Sequence, residues 1–367
     1  MSAEDERFMA AAIALGDRHV GLTGSNPSVG ALVVRHGEVM GAGATQPGGA
    51  VHAEAVALAR AGEAARGATL YVTLEPCAYR SRGGTPCADL TRAAGVARVV
   101  VALADPNPAI DGRSVERLAA EGLAVTCGPG AQEAARSLAG HLTWVRLGRP
   151  HMTVKQALSA DGRIAAAGKR PVAITGPAAN AQVHMMRARS DAILIAAGTA
   201  RADDPMLTCR LPGLGARSPI RVVLDRDLSL SPESRLARTA REVPVWVIAK
   251  PGAPATRQAA LERVGVVVLR ADGVEDALRV LGARGVRRVL VEAGGGLSRT
   301  LLDADLADRY EIFRAPTIIG ADGIPAMRGG DLESALETDR YRLHCFRRHG
   351  ADGRWTYERR RAIHPES

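Results

Sequence analysis

The sequence predicts an α/β protein of two domains. Three observations carry this: the length, short apolar runs that alternate with Ala-rich helical stretches, and a restart of that pattern after a Gly/Pro break. A chain of 367 residues exceeds what one hydrophobic core usually supports. Alternating strand and helix signals predict a sheet covered by helices.

In chain order, Phe8, Met9, Ala12, Ile13 and Leu15 recur at helical spacing and predict a helix over 4–20, broken by Gly21-Leu-Thr-Gly-Ser-Asn-Pro27. Strands are predicted at 30–34, 69–74 and 98–103, and helices at 53–61 and 86–94. The break is Trp144-Val-Arg-Leu-Gly-Arg-Pro150, which divides the chain into a domain over 1–147 and a second over 148–367. Strands then recur at 152–157, 192–196, 220–224, 245–248, 264–269 and 288–292. A closing hairpin is predicted over 341–361, turned at His349-Gly-Ala-Asp-Gly353.

Composition narrows the function. The apolar runs are short, and none approaches the roughly 18–20 residues of a membrane span. The first residues, Met1-Ser-Ala-Glu-Asp-Glu-Arg7, are acidic where a signal peptide is basic, which predicts a cytoplasmic protein without a membrane partner. Five cysteines without framework spacing predict no disulfides and favour metal ligation for any pair. The formal charge of +9 is spread along the chain as Arg, and aromatics are only 3%, so nucleic acid is not the expected partner. Phosphorylated small molecules suit this charge.

His52-Ala53-Glu54 opens an Ala-rich stretch, Leu74-Glu75-Pro76-Cys77 ends a strand, and Cys87 follows ten positions later. One imidazole and two thiolates predict a Zn2+ site with an open fourth position, where water becomes acidic enough to react near neutral pH. Glu54, not itself a ligand, is the predicted proton carrier. His-x-Glu followed by Pro-Cys and a second Cys is the pattern of zinc deaminases. A closed structural site is the alternative, but Cys127, Cys209 and Cys345 have no companion ligand at metal spacing.

The first domain then resembles the deaminase half of the bifunctional riboflavin-biosynthesis deaminase/reductase (RibD) family, through Asn26-Pro-Ser-Val-Gly30, Thr73-Leu-Glu-Pro-Cys77, Asp105-Pro-Asn-Pro108 and Gly112. The resemblance implies a cytidine-deaminase-like three-layer fold, zinc on His52, Cys77 and Cys87, proton transfer by Glu54 and a pyrimidine contact at Asn26. Two departures stand out. The loop between the cysteines is one residue longer than in relatives, with Arg80 and Arg82 as its candidate phosphate contacts, and Thr45 replaces a His common in the family.

In the second domain, Val291-Glu-Ala-Gly-Gly-Gly-Leu297 follows a strand and opens a helix, a geometry that can cradle phosphate or simply make a tight turn. It lacks a dinucleotide fingerprint. Ser159-Ala-Asp-Gly-Arg163, Ile174-Thr-Gly176 and Ala202-Asp-Asp-Pro-Met-Leu-Thr208 are similar to the reductase half of the same family. That resemblance implies a dihydrofolate-reductase-like fold and NADPH. It places Thr199, Asp203, Gly294, Gly295, Gly296, Leu297, Ser298, Arg299 and Thr300 on the cofactor, and Lys155, Arg187, Leu207, Arg210 and Glu292 on the substrate. A Ser-x-Trp segment usual in relatives is replaced by Lys169-Arg-Pro-Val-Ala173.

The expected function is zinc-dependent deamination of a diaminopyrimidinone ribosylamine phosphate, then NADPH-dependent reduction of ribosyl to ribityl, in a cytoplasmic homo-oligomer acting on a small phosphorylated pyrimidine. A nucleoside or tRNA base deaminase with a non-catalytic nucleotide-binding domain is the rival. A zinc-stabilised binding protein is the non-enzymatic one.

Overall fold

The computed structural model describes residues 2–79, 84–108, 110, 112–169 and 172–360. They form two compact units, one ending at Gly148 and the other beginning at Arg149.

The first unit opens with helix α1 (Ala3–Asp17), started by a reciprocal cap in which the Ser2 hydroxyl accepts the Asp5 amide and the Asp5 carboxylate accepts the Ser2 amide. Strands β1 (Gly30–Arg35) and β2 (Glu38–Ala44) make a hairpin, followed by helix α2 (Ala53–Ala61), β3 (Thr69–Val72), α3 (Cys87–Ala93), β4 (Arg98–Val101), α4 (Arg113–Ala120), β5 (Ala124–Cys127), α5 (Ala131–Ser137) and α6 (Ala139–Leu147). The sheet order is β2-β1-β3-β4-β5, antiparallel across β2, β1 and β3 and parallel from β3 to β5.

Helices cover both faces because glycines let backbones meet. A Cβ on Gly30 would stand 1.8 Å from the Ala12 carbonyl of α1, and one on Gly43 would stand 2.3 Å from the Ala53 carbonyl of α2. Gly43 pairs with Ala31, the residue after Gly30, so the two glycines face opposite sides of the pleat. The three-layer arrangement follows.

The second unit runs through β6 (His151–Leu158), β7 (Arg163–Ala165), α7 (Pro177–Ala188), β8 (Ala192–Ala196), α8 (Ala197–Asp203), β9 (Ile220–Leu224), the short α9 (Arg235–Arg238), β10 (Val245–Ala249), α10 (Ala255–Arg263), β11 (Val267–Arg270), α11 (Val274–Ala283), β12 (Arg288–Glu292), α12 (Gly295–Asp303), β13 (Arg309–Arg314), β14 (Ile324–Pro325), α13 (Leu332–Leu336), β15 (Tyr341–His349) and β16 (Asp352–Arg359). Nine strands form one sheet in the order β11-β10-β9-β8-β12-β6-β13-β16-β15, parallel from β11 to β13 and closed by the antiparallel hairpin β15–β16. Leu194 belongs to one core cluster while Ile193 and Ile195 belong to the other, so β8 is packed on both faces. No helix among the described residues is long and apolar enough to cross a membrane.

Several boundaries differ from the sequence reading. The run expected as a strand over 264–269 begins as the end of α10: Val264 caps the helix, Gly265 takes a left-handed φ of 96°, and the Val266 amide closes on the Leu261 carbonyl. The strand proper starts at Val267. Strands β2, β5 and β13 fall outside the runs the sequence reading assigned to strands.

Candidate active sites

The polar cavity of the first unit is built where three elements end. His52 is the residue before α2, Cys77 follows β3 after a short turn, and Cys87 opens α3. The His52 Nδ1 lies 3.6 Å from the Cys77 Sγ and 3.3 Å from the Cys87 Sγ, and the three donor atoms fall within 4.8 Å of one another. The Cys87 amide also donates to the Cys77 sulfur over 3.3 Å. This is the donor set of a tetrahedral zinc with one position left open, and no further His, Cys, Asp or Glu joins the group among the described residues. Hydrogen bonding from Cys87 holds the Cys77 thiol at about 4 against burial, and the same bond pushes Cys87 up.

Glu54 sits on the first turn of α2 and is 3% exposed. Burial pushes its carboxyl up to about 7, against smaller lowering effects of its own backbone amide and His52. It lines a cavity of about 450 Å³ together with Asn26, Thr45, His52, Cys77, Asp105 and His141. The Asn26 amide is steadied by donating to the Gly49 carbonyl at 2.9 Å. The Thr45 hydroxyl accepts the Val29 amide at 3.0 Å, and the Thr45 carbonyl meets the His19 ring at 2.6 Å. Arg80 and Arg82 lie outside the described residues.

Three cavity residues received no role in the sequence reading. Glu75 was visible only as a neighbour of Cys77, yet its buried carboxylate accepts the amides of Asp105, Gly112, Ser114 and Val115 and ties the loop after β4 to the start of α4. Asp105 lies on that loop, within the Asp105-Pro-Asn-Pro108 motif but given no role of its own, and His141 lies on α6, where no local pattern marks it.

In the second unit, parallel register puts Glu292 of β12 beside Lys155 of β6. Arg187 on α7 reaches Glu292 with both faces of its fork, Nε to Oε1 at 2.8 Å and Nη2 to Oε2 at 3.0 Å, and donates to the Thr208 carbonyl at 3.0 Å. Burial alone would raise Glu292, but Arg187 and Lys155 hold it below the ordinary carboxylate range. Burial lowers the Lys155 ammonium. Arg187, Leu207, Arg210 and Arg235 line a cavity of about 380 Å³, and Leu207 takes the left-handed φ of 56°, strain of the kind found at functional sites.

The expected NADPH residues gather in part. Thr199 of α8 meets the strand-to-helix turn, since a Cβ on Gly294 would stand 3.5 Å from its Oγ1, whereas a Cβ on Gly295 would press to 2.9 Å on the Pro325 carbonyl. Only small residues keep the first turn of α12 approachable, and this fits a phosphate-bearing nucleotide. Asp203 is exposed at the end of α8. Leu297 is core, the Ser298 hydroxyl turns inward to Gln156, Thr300 bonds back to the Gly296 carbonyl, and Arg299 pairs with Asp303. Leu297 and Ser298 are buried, Arg299 and Thr300 bond within α12 while keeping solvent exposure, and the glycine turn leaves its backbone approachable. Lys169 closes a short turn before the variant segment, whose Arg170 and Pro171 lie outside the described residues.

Residues 2–103 match the cytidine and deoxycytidylate deaminase zinc-binding region, and residues 150–348 match the RibD C-terminal domain. The chain is 37% identical over 376 aligned positions to the riboflavin biosynthesis protein RibD of Escherichia coli, covering 95% of this chain and 98% of that one. The structure of RibD from Acinetobacter baumannii superposes with a TM-score of 0.84 at 34% identity, over 97% of this chain and 99% of that chain. A Thermotoga maritima diaminohydroxyphosphoribosylaminopyrimidine deaminase/5-amino-6-(5-phosphoribosylamino)uracil reductase gives 0.85 at 32% identity with the same coverage. With the His52, Cys77 and Cys87 cluster and the Arg187–Glu292 pocket both in place, the chain belongs to the RibD family of riboflavin-biosynthesis enzymes, which join a zinc deaminase domain to an NADPH-dependent reductase domain.

Proposed function

We propose that residues 1–147 deaminate 2,5-diamino-6-ribosylamino-4(3H)-pyrimidinone 5′-phosphate and that residues 148–367 reduce the ribosyl group of the product to ribityl. The observation that carries this reading is that buried Glu54 lines the same cavity as His52 and Cys77, two of the three clustered metal donors. When bound, zinc supplies Lewis acidity toward water, and NADPH supplies the reducing equivalents. Glu54 takes a proton from the attacking water and delivers it to the departing amine, so water oxygen replaces nitrogen and ammonia leaves. Asn26 holds the pyrimidine at the mouth of α2. In the second unit, Arg187 and Arg210 hold the substrate phosphate, and Lys155 and Glu292 orient its polar groups. Thr199, Asp203 and the turn from Gly294 hold the nucleotide.

Replacing Glu54 by Gln keeps the size of the side chain but removes its proton traffic. Ammonia release should fall by roughly 10²- to 10⁴-fold while zinc content and reductase turnover stay at wild-type levels. Persistent ammonia release would overturn the assignment. Scattered basic charge and few aromatics support a small phosphorylated pyrimidine rather than nucleic acid as partner, the short apolar runs and acidic first residues support the cytoplasm and no membrane, and the apolar reductase strands support a homo-oligomer. Retention of RNA at moderate salt would contradict that part.

A further inference from the structure

The wall of the deaminase cavity holds a polar pair that zinc chemistry does not use. The His141 Nε2 lies 3.0 Å from the Asp105 Oδ1, with side chains only 11% and 5% exposed, and both residues line the cavity. An ionised carboxylate only accepts, so Nε2 carries the proton and Nδ1 is the nitrogen left for a ligand. Asp105 is itself held in place. Its amide donates to the Glu75 Oε2 at 3.2 Å, and the oxygen that receives His141 also receives the Asn107 amide at 3.0 Å. A chain of hydrogen bonds therefore runs from the strand end that carries Cys77 to the imidazole on α6.

Charge decides what this ring can bind. The cavity-lining residues include the carboxylates Glu54, Glu75 and Asp105, and the lining side chains able to become cationic are His52 and His141 among the described residues. His52 would be taken up as a metal donor with Cys77 and Cys87. A phosphate entering a largely enclosed site needs a donor to replace its water, and charge-assisted bonds are the strong ones. Resting on the substrate assigned above, we propose that His141, oriented by Asp105, binds the phosphate of the deaminase substrate. One proton shared between Nδ1 and a phosphate oxygen makes the contact, and the bond to Asp105 keeps the ring from turning away. His141 is thus a specificity residue, and Asp105 is a positioning residue.

The test compares ammonia release from the phosphorylated substrate and from its dephosphorylated form, in the full-length zinc-loaded protein. In His141→Ala, kcat/KM for the phosphorylated form should drop roughly 10- to 100-fold through KM, with no change for the dephosphorylated form. His141→Gln, which keeps a donor, should recover part of the loss. Zinc content and turnover of the dephosphorylated form report an intact deaminase unit in both variants. An equal loss on both substrates, or no loss on either, would overturn the role of His141. If the wild-type protein releases no ammonia from the phosphorylated substrate, the assigned function fails instead.

Discussion

Glu54 is a buried carboxylate and Glu292 a half-buried one, and their neighbours give them opposite characters. Glu54 is pushed up to about 7 by burial, which suits a group that must hold and release a proton. Glu292 is held down by Arg187 and Lys155, which suits a fixed anion that orders cations around a substrate. Their separation is an environmental effect, invisible in residue identity. Arg187→Ala would leave Glu292 beside Lys155 without its forked partner, at a cost of about 3–5 kcal/mol to the second unit. Chemical denaturation should show that loss, NADPH oxidation should collapse, and ammonia release should be unchanged. Arg187→Lys should rescue little, because one ammonium cannot make both contacts to Glu292 and the third to Thr208.

At the scale of elements, the active residues sit where strands and helices begin or end. His52 and Cys87 start helices, Cys77 follows a strand, and Glu292 closes one. Such positions were legible because His-x-Glu, Pro-Cys and the Gly-rich turn are local in sequence. The elements that frame them were less so: Glu38–Ala44 reads as a run of small residues rich in Gly and Ala, and becomes a strand by pairing with β1 and admitting α2 against Gly43. Glu75 shows how an element depends on a distant side chain. Its four amide contacts cap α4 and hold the loop that carries Asp105. Glu75→Gln offers one acceptor oxygen in place of two, so the loop should loosen by about 1–3 kcal/mol. Hydrogen exchange at Gly112 and Ser114 should accelerate, and the deaminase KM should rise while zinc stays bound.

For the whole molecule, each of the two units carries its own core and its own site. Cys87→Ala should therefore abolish zinc binding and ammonia release while NADPH oxidation on the deaminated intermediate continues. Loss of both activities together would mean the units do not fold independently. The second unit also holds an acid-sensitive point at its first strand. His151 is 1% exposed, burial holds its ring at about 3, and its Nδ1 has no hydrogen-bond partner among the described residues. Its folded value is below the ordinary value near 6.5, so the unfolded chain binds the proton first. Stability is full above pH 6.5 and falls as pH drops toward 3, by about 2 kcal/mol at pH 5. His151→Leu should remove this share of the acid sensitivity, read as a smaller shift in the denaturation midpoint between pH 7.5 and pH 5.

The sequence by itself determined the His52, Cys77 and Cys87 metal site and the α/β grammar of both halves, because each depends on short motifs or on periodic burial. It also carried the family resemblance that named the reductase residues. Tertiary structure alone decided that the Ser298 hydroxyl turns into the core toward Gln156, 142 positions away, and that Asp105 meets His141 across 36 positions. The physical reason is the same in both cases. A hydrogen bond between distant segments depends on how helices settle on a sheet, and that packing leaves no periodic trace in the residues it joins.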